Sequence, residues 1–125
     1  MASSSQDPPT FENPPDYVGE ALILLKERAD AEGLIVDTDG TAAVRSLLGN
    51  AIAEARKEEG AEAFSPSRQK EFAKAAQVLA EEATGAAHEQ NALYVNQSHI
   101  ERAITKLSSL KIWPFTKGSR RIPNG

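Results

Sequence analysis

The 125-residue sequence contains no cysteine. Disulfides, thiolate nucleophiles, zinc–cysteine sites and iron–sulfur clusters are therefore all excluded, and a reducing compartment is permitted. Aromatic residues make up only 6% of the chain, with one tryptophan. An apolar fraction of 40%, much of it alanine, suits helices in close approach better than a β-sandwich. No apolar run nears the roughly 20 residues needed to cross a bilayer. The start MASSSQDPPTFENPP has no basic residues followed by an apolar stretch, so it does not read as a secretory signal. These absences predict a soluble, intracellular protein of one domain.

Enzymatic signatures are equally scarce. The sequence has no G-x-S-x-G, glycine-rich phosphate loop or dinucleotide fingerprint. His88-Glu89-Gln90-Asn91-Ala92 begins like the zinc-protease motif H-E-x-x-H, but alanine stands where the second ligand should be. Asp37-Thr38-Asp39-Gly40 fails as a calcium loop, because its glycine is fourth rather than sixth and the twelfth residue is Leu48. His88 and His99 read as surface or half-buried residues rather than ligands. Acids and bases alternate along helix faces, as in Glu54, Lys57 and Glu58, which is a solvated pattern. The expectation is a noncatalytic protein without metal, cofactor or small-molecule substrate.

Charge is unevenly distributed. The net charge is −4. Residues 1–15 carry only Asp7 and Glu12, and residues 116–125 carry Lys117, Arg120 and Arg121 with no acid. The intervening body holds 16 acids against 11 bases, the reverse of a body built to wrap DNA.

Residues 1–15 read as a flexible arm, 16–115 as a single helical domain and 116–125 as a flexible basic tail. The arm ends in Pro14-Pro15-Asp16-Tyr17. That is either a PPxY ligand for a WW domain or a proline-stiffened approach to a helix capped by Asp16. A first helix follows from about Tyr17 to Glu32, with Val18, Ala21, Leu22, Leu25 and Ala29 on one side and Gly33 as its stop. Leu34-Ile35-Val36 is an extended triplet. Asp37 or Asp39 caps a second helix over about Gly40–Glu59, whose inner face is Val44, Leu47, Leu48, Ala51, Ile52 and Ala55. Ser65 followed by Pro66 marks the start of a third helix that runs to about Gln90. Phe72, Ala75, Ala76, Leu79, Ala83, Ala86 and Ala87 form its apolar stripe, and Gly85 within it would permit a close helix crossing. Leu93-Tyr94-Val95 is a second extended triplet. Asn96 then caps a short helix to about Leu107, with Ser98 and Glu101 as an alternative capping box. Asn96-Gln97-Ser98 also fits the glycosylation pattern, although capping accounts for it.

The two triplets share one grammar: helix, three apolar residues, acid or amide cap, helix. The second unit, SPSRQKEFAKAAQVLAEEATGAAHEQN followed by YVNQSHIERAI, resembles the latter part of the histone-fold family over about residues 41–107. Val95 matches the hydrophobic loop residue, Asn96 stands where that family usually has a threonine cap, and Ile100, Ala103 and Ile104 match the inner face of its last helix. The second helix would stand for the family's short first helix, and residues 60–65 for its first loop. The resemblance implies an all-α fold with a helix–loop–long helix–loop–short helix core, here with an added N-terminal helix. It also implies homo- or heterodimerisation through the long helix, with Phe72, Ala76, Leu79, Ala83, Gly85 and Ala86 as interface residues. Cover from the first helix of the same chain is the competing explanation of that stripe.

One departure weakens any DNA grip. Histone-like DNA binders place a base just before the second extended segment, and Gln90-Asn91-Ala92-Leu93-Tyr94 has none. A weak contact to DNA would rest on Arg68, Lys70 and Lys74 at the start of the long helix with Lys117, Arg120 and Arg121 of the tail. Trp113 and Phe115, beside Pro114, either fold back to close the core or anchor a partner. The function expected is a helical interaction protein that binds another protein or assists at DNA. A nonspecific DNA-binding protein is the alternative.

Overall fold

Among the described residues, four helices and a two-stranded parallel sheet are laid down in the order expected from capping chemistry. The computed structural model describes residues 16–60 and 63–116. The arm over residues 1–15 and the bases Lys117, Arg120 and Arg121 lie outside the described residues. Helix α1 (Tyr17–Ala31) begins where the Asp16 carboxylate accepts from the Gly19 amide. It ends ahead of Gly33, whose φ of +76° favours glycine. Strand β1 (Ile35–Val36) follows. Asp37, not Asp39, caps the next helix: its carboxylate accepts from the Gly40 amide at 2.7 Å, so the helix starts at Thr38.

That helix, α2, spans residues 38–59. A five-residue π turn, Val44–Leu48, interrupts its α geometry. The residues before the turn pack on the last helix, those within it on both the last helix and α1, and those after it on α1. The wider turn shifts the phase of the buried face at the change-over between two neighbours. Nothing in the apolar spacing announced it. Helix α3 (Pro66–Glu89) is one unbroken rod of 24 residues, about 36 Å long, with Ser65 as N-cap and proline at its start. Strand β2 (Tyr94–Val95) and helix α4 (Gln97–Ser109) are the last regular elements among the described residues.

Helices α1 and α3 lie side by side and run parallel. The Tyr17 ring meets that of Phe72, Arg28 reaches Glu81, and Glu32 accepts from His88 Nε2 at 2.7 Å, so the partners advance together along both helices. The strands that follow them consequently meet in parallel, Ile35 opposite Tyr94 and Val36 opposite Val95. Two helix–strand–helix units thus pair within one chain, which gives the shared grammar of the two triplets a physical consequence. Helix α4 packs along α3, and the core runs through Leu25, Val44, Leu48, Leu79, Val95, Ile100 and Leu107.

The close approach that holds the units together is not at Gly85. A side chain added there would meet nothing within 4 Å, because position 85 faces away from α1 and α4. It is at Gly40, where an added Cβ would lie 2.4 Å from the Val95 carbonyl oxygen. The first turn of α2 rests directly on the backbone of β2, and no side chain fits between them.

Candidate interaction surfaces

The long-helix stripe is the face expected to meet a partner. Phe72, Ala76, Leu79, Ala83 and Ala86 are all buried inside the single chain, beneath α1 and α4. Gly85 is only partly covered. The expectation of a dimer through these residues rested on an apolar stripe too long for its own chain to cover. Helix α1 supplies that cover, so the stated reason for a partner at this face disappears.

Trp113 and Phe115 are each 7% exposed, and they close the core instead of projecting as anchors. The Trp113 ring meets Phe64 edge-on at 4.8 Å, and Phe64 stacks on Tyr17 at 4.4 Å. Tyr17 is itself only 4% exposed, and its hydroxyl accepts from the buried Phe64 amide at 2.9 Å. A tyrosine so engaged is not displayed as a PPxY ligand. Its role is to satisfy a backbone donor in the connection between α2 and α3.

The cationic candidates separate in the same way. The guanidinium of Arg68 lies 4.9 Å from the centre of the Trp113 ring and pairs with Glu59 at 3.3 Å and Glu71 at 2.7 Å. The Glu71 hydrogen bond, outweighing partial desolvation, holds its pKa above the ordinary value. A guanidinium shared between two carboxylates has little field left for a phosphate. Lys70 and Lys74 are exposed on the same helix. The tail bases Lys117, Arg120 and Arg121, with which they were expected to act, lie outside the described residues.

Of the two histidines, His88 lies at the surface as expected, and His99 does not. His88 is exposed and clips α3 to Glu32, whose carboxyl is held below its ordinary pKa mainly by the Arg28 hydrogen bond. His99 is completely buried. Its Nδ1 accepts from the Asn96 amide at 3.1 Å, while Asn96 Oδ1 accepts in turn from the His99 and Ser98 amides. This reciprocal cap displaces the Ser98–Glu101 alternative. On the other side of the ring, Nε2–H donates to Gln90 Oε1 at 2.7 Å. Burial lowers the pKa of His99, opposed by the charge of Asp37 and assisted by that of Arg102. A neutral imidazole with both nitrogens occupied is a structural joint between the end of α3 and the start of α4. No group of three or more potential metal-ligating side chains occurs among the described residues. None of their helices is long and apolar enough to cross a membrane.

What sequence reasoning missed lies at the strand end. Ile35, Leu93 and Tyr94 are 51%, 55% and 47% exposed. The ladder sets Ile35 directly opposite Tyr94, and the Leu93 carbonyl accepts from the Ile35 amide at 3.1 Å. Two large apolar side chains, Ile35 and Tyr94, therefore sit side by side on one short sheet, with exposed Leu93 next in the chain, while the alternate residue Val95 faces the core. The signal was present in the two triplets, but only their pairing shows that the apolar residues turned outward are neighbours. Beyond the strands, Asp39 and Glu101 border a recess of about 250 Å³ between α2 and α4, an acidic rim that disfavours phosphate. Comparisons with protein families, curated proteins and solved structures return no match for this chain.

Proposed function

We propose that this chain is a noncatalytic helical interaction protein that binds a protein partner through its strand end. The observation that carries the reading is the pairing of exposed Ile35 with exposed Tyr94 by the parallel strands, with exposed Leu93 at the start of the second strand. Contiguous apolar surface of this kind is costly to leave in water and marks protein contact sites. An aromatic residue among aliphatic ones is a usual composition for the dominant contact of an interface.

A histone-like core is the finer part of the proposal. It is supported by the order long helix, short strand, cap and shorter helix over α3, β2 and α4, with Ile100 and Ala103 buried. Two features set this chain apart from that pattern. Helix α2 is nearly as long as α3, and β2 takes its strand partner from the segment before α2 in the same chain.

The test is site-specific photocrosslinking in the native host, from position 94 and, as a control, from the exposed Lys26. One discrete protein adduct from position 94, lost on Ile35→Ser, is the expected result. Light scattering of the purified chain tells whether that partner is a second copy. Failure to form an adduct at position 94, combined with tight, salt-sensitive binding of duplex DNA, would replace the proposal with the nucleic-acid reading.

A further inference from the structure

A backbone amide decides which nitrogen of the buried His99 ring carries hydrogen. The Asn96 N–H can only donate, and it lies 3.1 Å from Nδ1, so Nδ1 must present a lone pair. The single hydrogen of the neutral ring is therefore on Nε2, where Gln90 Oε1 accepts it at 2.7 Å. Both nitrogens are engaged and the ring is closed off from water. A second proton can enter only at Nδ1. There it points at the Asn96 amide hydrogen, two donors without an acceptor, and leaves a charge away from solvent. The surrounding charges do not remove that conflict. Asp37, at the start of α2, favours the charged ring, and Arg102 of α4 itself opposes it. Glu89 of α3 is paired with Arg102 at 2.7 Å, Asp39 and Glu101 border the recess between α2 and α4, and β2 contributes neither carboxylate nor base.

We propose that His99 is a proton-operated latch on the strand end: uptake of a proton at Nδ1 releases the Asn96 amide and frees the first turn of α4 together with β2. Release spreads from the cap to the strand because the Val95 carbonyl belongs to the same planar peptide unit as the Asn96 amide. That carbonyl accepts the Asp37 amide at 3.2 Å, and the Leu93 carbonyl accepts the Ile35 amide at 3.1 Å. With two residues in each strand, the ladder is too short to persist once its neighbour turns away. Opening separates Tyr94 from Ile35. The latch is a property of the chain alone and stands whether or not a partner binds there. Burial, opposed by Asp37, keeps the closed ring below the ordinary pKa of 6.5 that a freed ring regains. As acidity rises past that value, the open form holds a proton that the closed form does not. Its share therefore grows about tenfold per pH unit, until the closed ring itself titrates.

Amide hydrogen exchange of the full 125-residue chain, read by NMR from about pH 6.5 down to about pH 5, tests the latch. Intrinsic exchange slows with acidity, so an amide indifferent to His99 should slow in proportion. The Gly60 amide, bonded to the Arg56 carbonyl at the end of α2, is such a control. The Asp37 and Asn96 amides should instead keep a constant rate, because the growing open population offsets the slower chemistry. They should also exchange faster than the Leu79 amide in the middle of α3, which reports global unfolding. His99→Gln retains an acceptor for the Asn96 amide but takes up no proton, and in it both amides should slow as Gly60 does. The imidazole nitrogen resonances of the parent chain supply a check that needs no variant, with Nδ1 expected to be unprotonated at neutral pH. Asp37 and Asn96 rates that fall in step with Gly60 in the parent would overturn the proposal. So would rates equal to that of Leu79, since the strand end then opens only with the whole molecule. A hydrogen on Nδ1 at neutral pH, or constant rates that persist in His99→Gln, would overturn it as well.

Discussion

Replacing Gly40 with alanine adds a single methyl group at the point where α2 rests on β2. An ideal Cβ at this position lies 2.4 Å from the Val95 carbonyl oxygen and 3.2 Å from both the Val95 carbonyl carbon and the Asp37 carboxylate. Ordinary contact begins about 1 Å farther than the first of these, and the obstructing atom is backbone, so no rotamer change relieves it. The same Val95 oxygen accepts the Asp37 amide at 3.2 Å. Moving it away from the new methyl therefore strains the strand pairing and the N-cap together. Overpacking of this kind costs about 1–3 kcal/mol, and a weakened strand hydrogen bond adds roughly 0.5–1.5 kcal/mol. The higher helix propensity of alanine returns up to about 1 kcal/mol. The net loss should be about 1–3 kcal/mol, which lowers a urea midpoint by roughly 1 M for an m-value of about 2 kcal/mol/M. Gly85→Ala is the internal control. Nothing lies within 4 Å of its added methyl, so propensity acts alone and the variant should gain about 0.5–1 kcal/mol. Urea denaturation followed by circular dichroism reads both. A Gly40→Ala chain as stable as the parent, or a Gly85→Ala chain that is weaker, would refute the placement of the close contact.

Tyr17→Phe keeps the ring stack on Phe64 and removes only the hydroxyl. It leaves the buried Phe64 amide unsatisfied, and chemical denaturation should show a loss of about 1–3 kcal/mol. Asn96→Ala removes the acceptor for the Ser98 and His99 amides at the start of α4, and should cost about 1 kcal/mol in the same assay. The buried His99 stays neutral in the folded chain at pH values where the unfolded chain, with an ordinary pKa of 6.5, already takes up a proton. Its contribution to stability is complete above that value and is lost as pH falls through 6.5 toward the lower folded pKa. Urea midpoints should thus decline between about pH 7.5 and 5.5, and His99→Gln should flatten that slope. An equal slope in both proteins would show that His99 is not the titrating group.

Local chemistry made most of the elements legible. Asp16, Ser65 and Asn96 cap the helices they were expected to cap, Gly33 and Gly60 adopt positive φ at helix ends, and the long third helix is continuous. Each of these depends on residues within four positions of one another, which a linear sequence displays. The functional surfaces were far less legible. The stripe on α3 looked as if it lacked a cover, because nothing in its own composition records that α1 will lie parallel to it. Whether Trp113 closes the core or anchors a partner stayed open, because Phe64, the ring it packs on, and Tyr17, which stacks on Phe64, stand 49 and 96 positions earlier in the chain. The π turn in α2 was hidden for the same reason: it answers to a change of neighbours, not to a pattern of its own residues.

By itself the sequence determined an all-α chain with four capped helices and two brief extended segments, since capping, turn formation and apolar periodicity are short-range effects. The tertiary structure alone decided which apolar residues are spent on the core and which remain in water. Parallel packing of α1 on α3 buries the alanine stripe and brings β1 against β2, and that pairing turns Ile35 and Tyr94 outward side by side. Burial is a property of what approaches a residue from elsewhere in the chain, so the surface left for a partner emerges only when every long-range contact has been made.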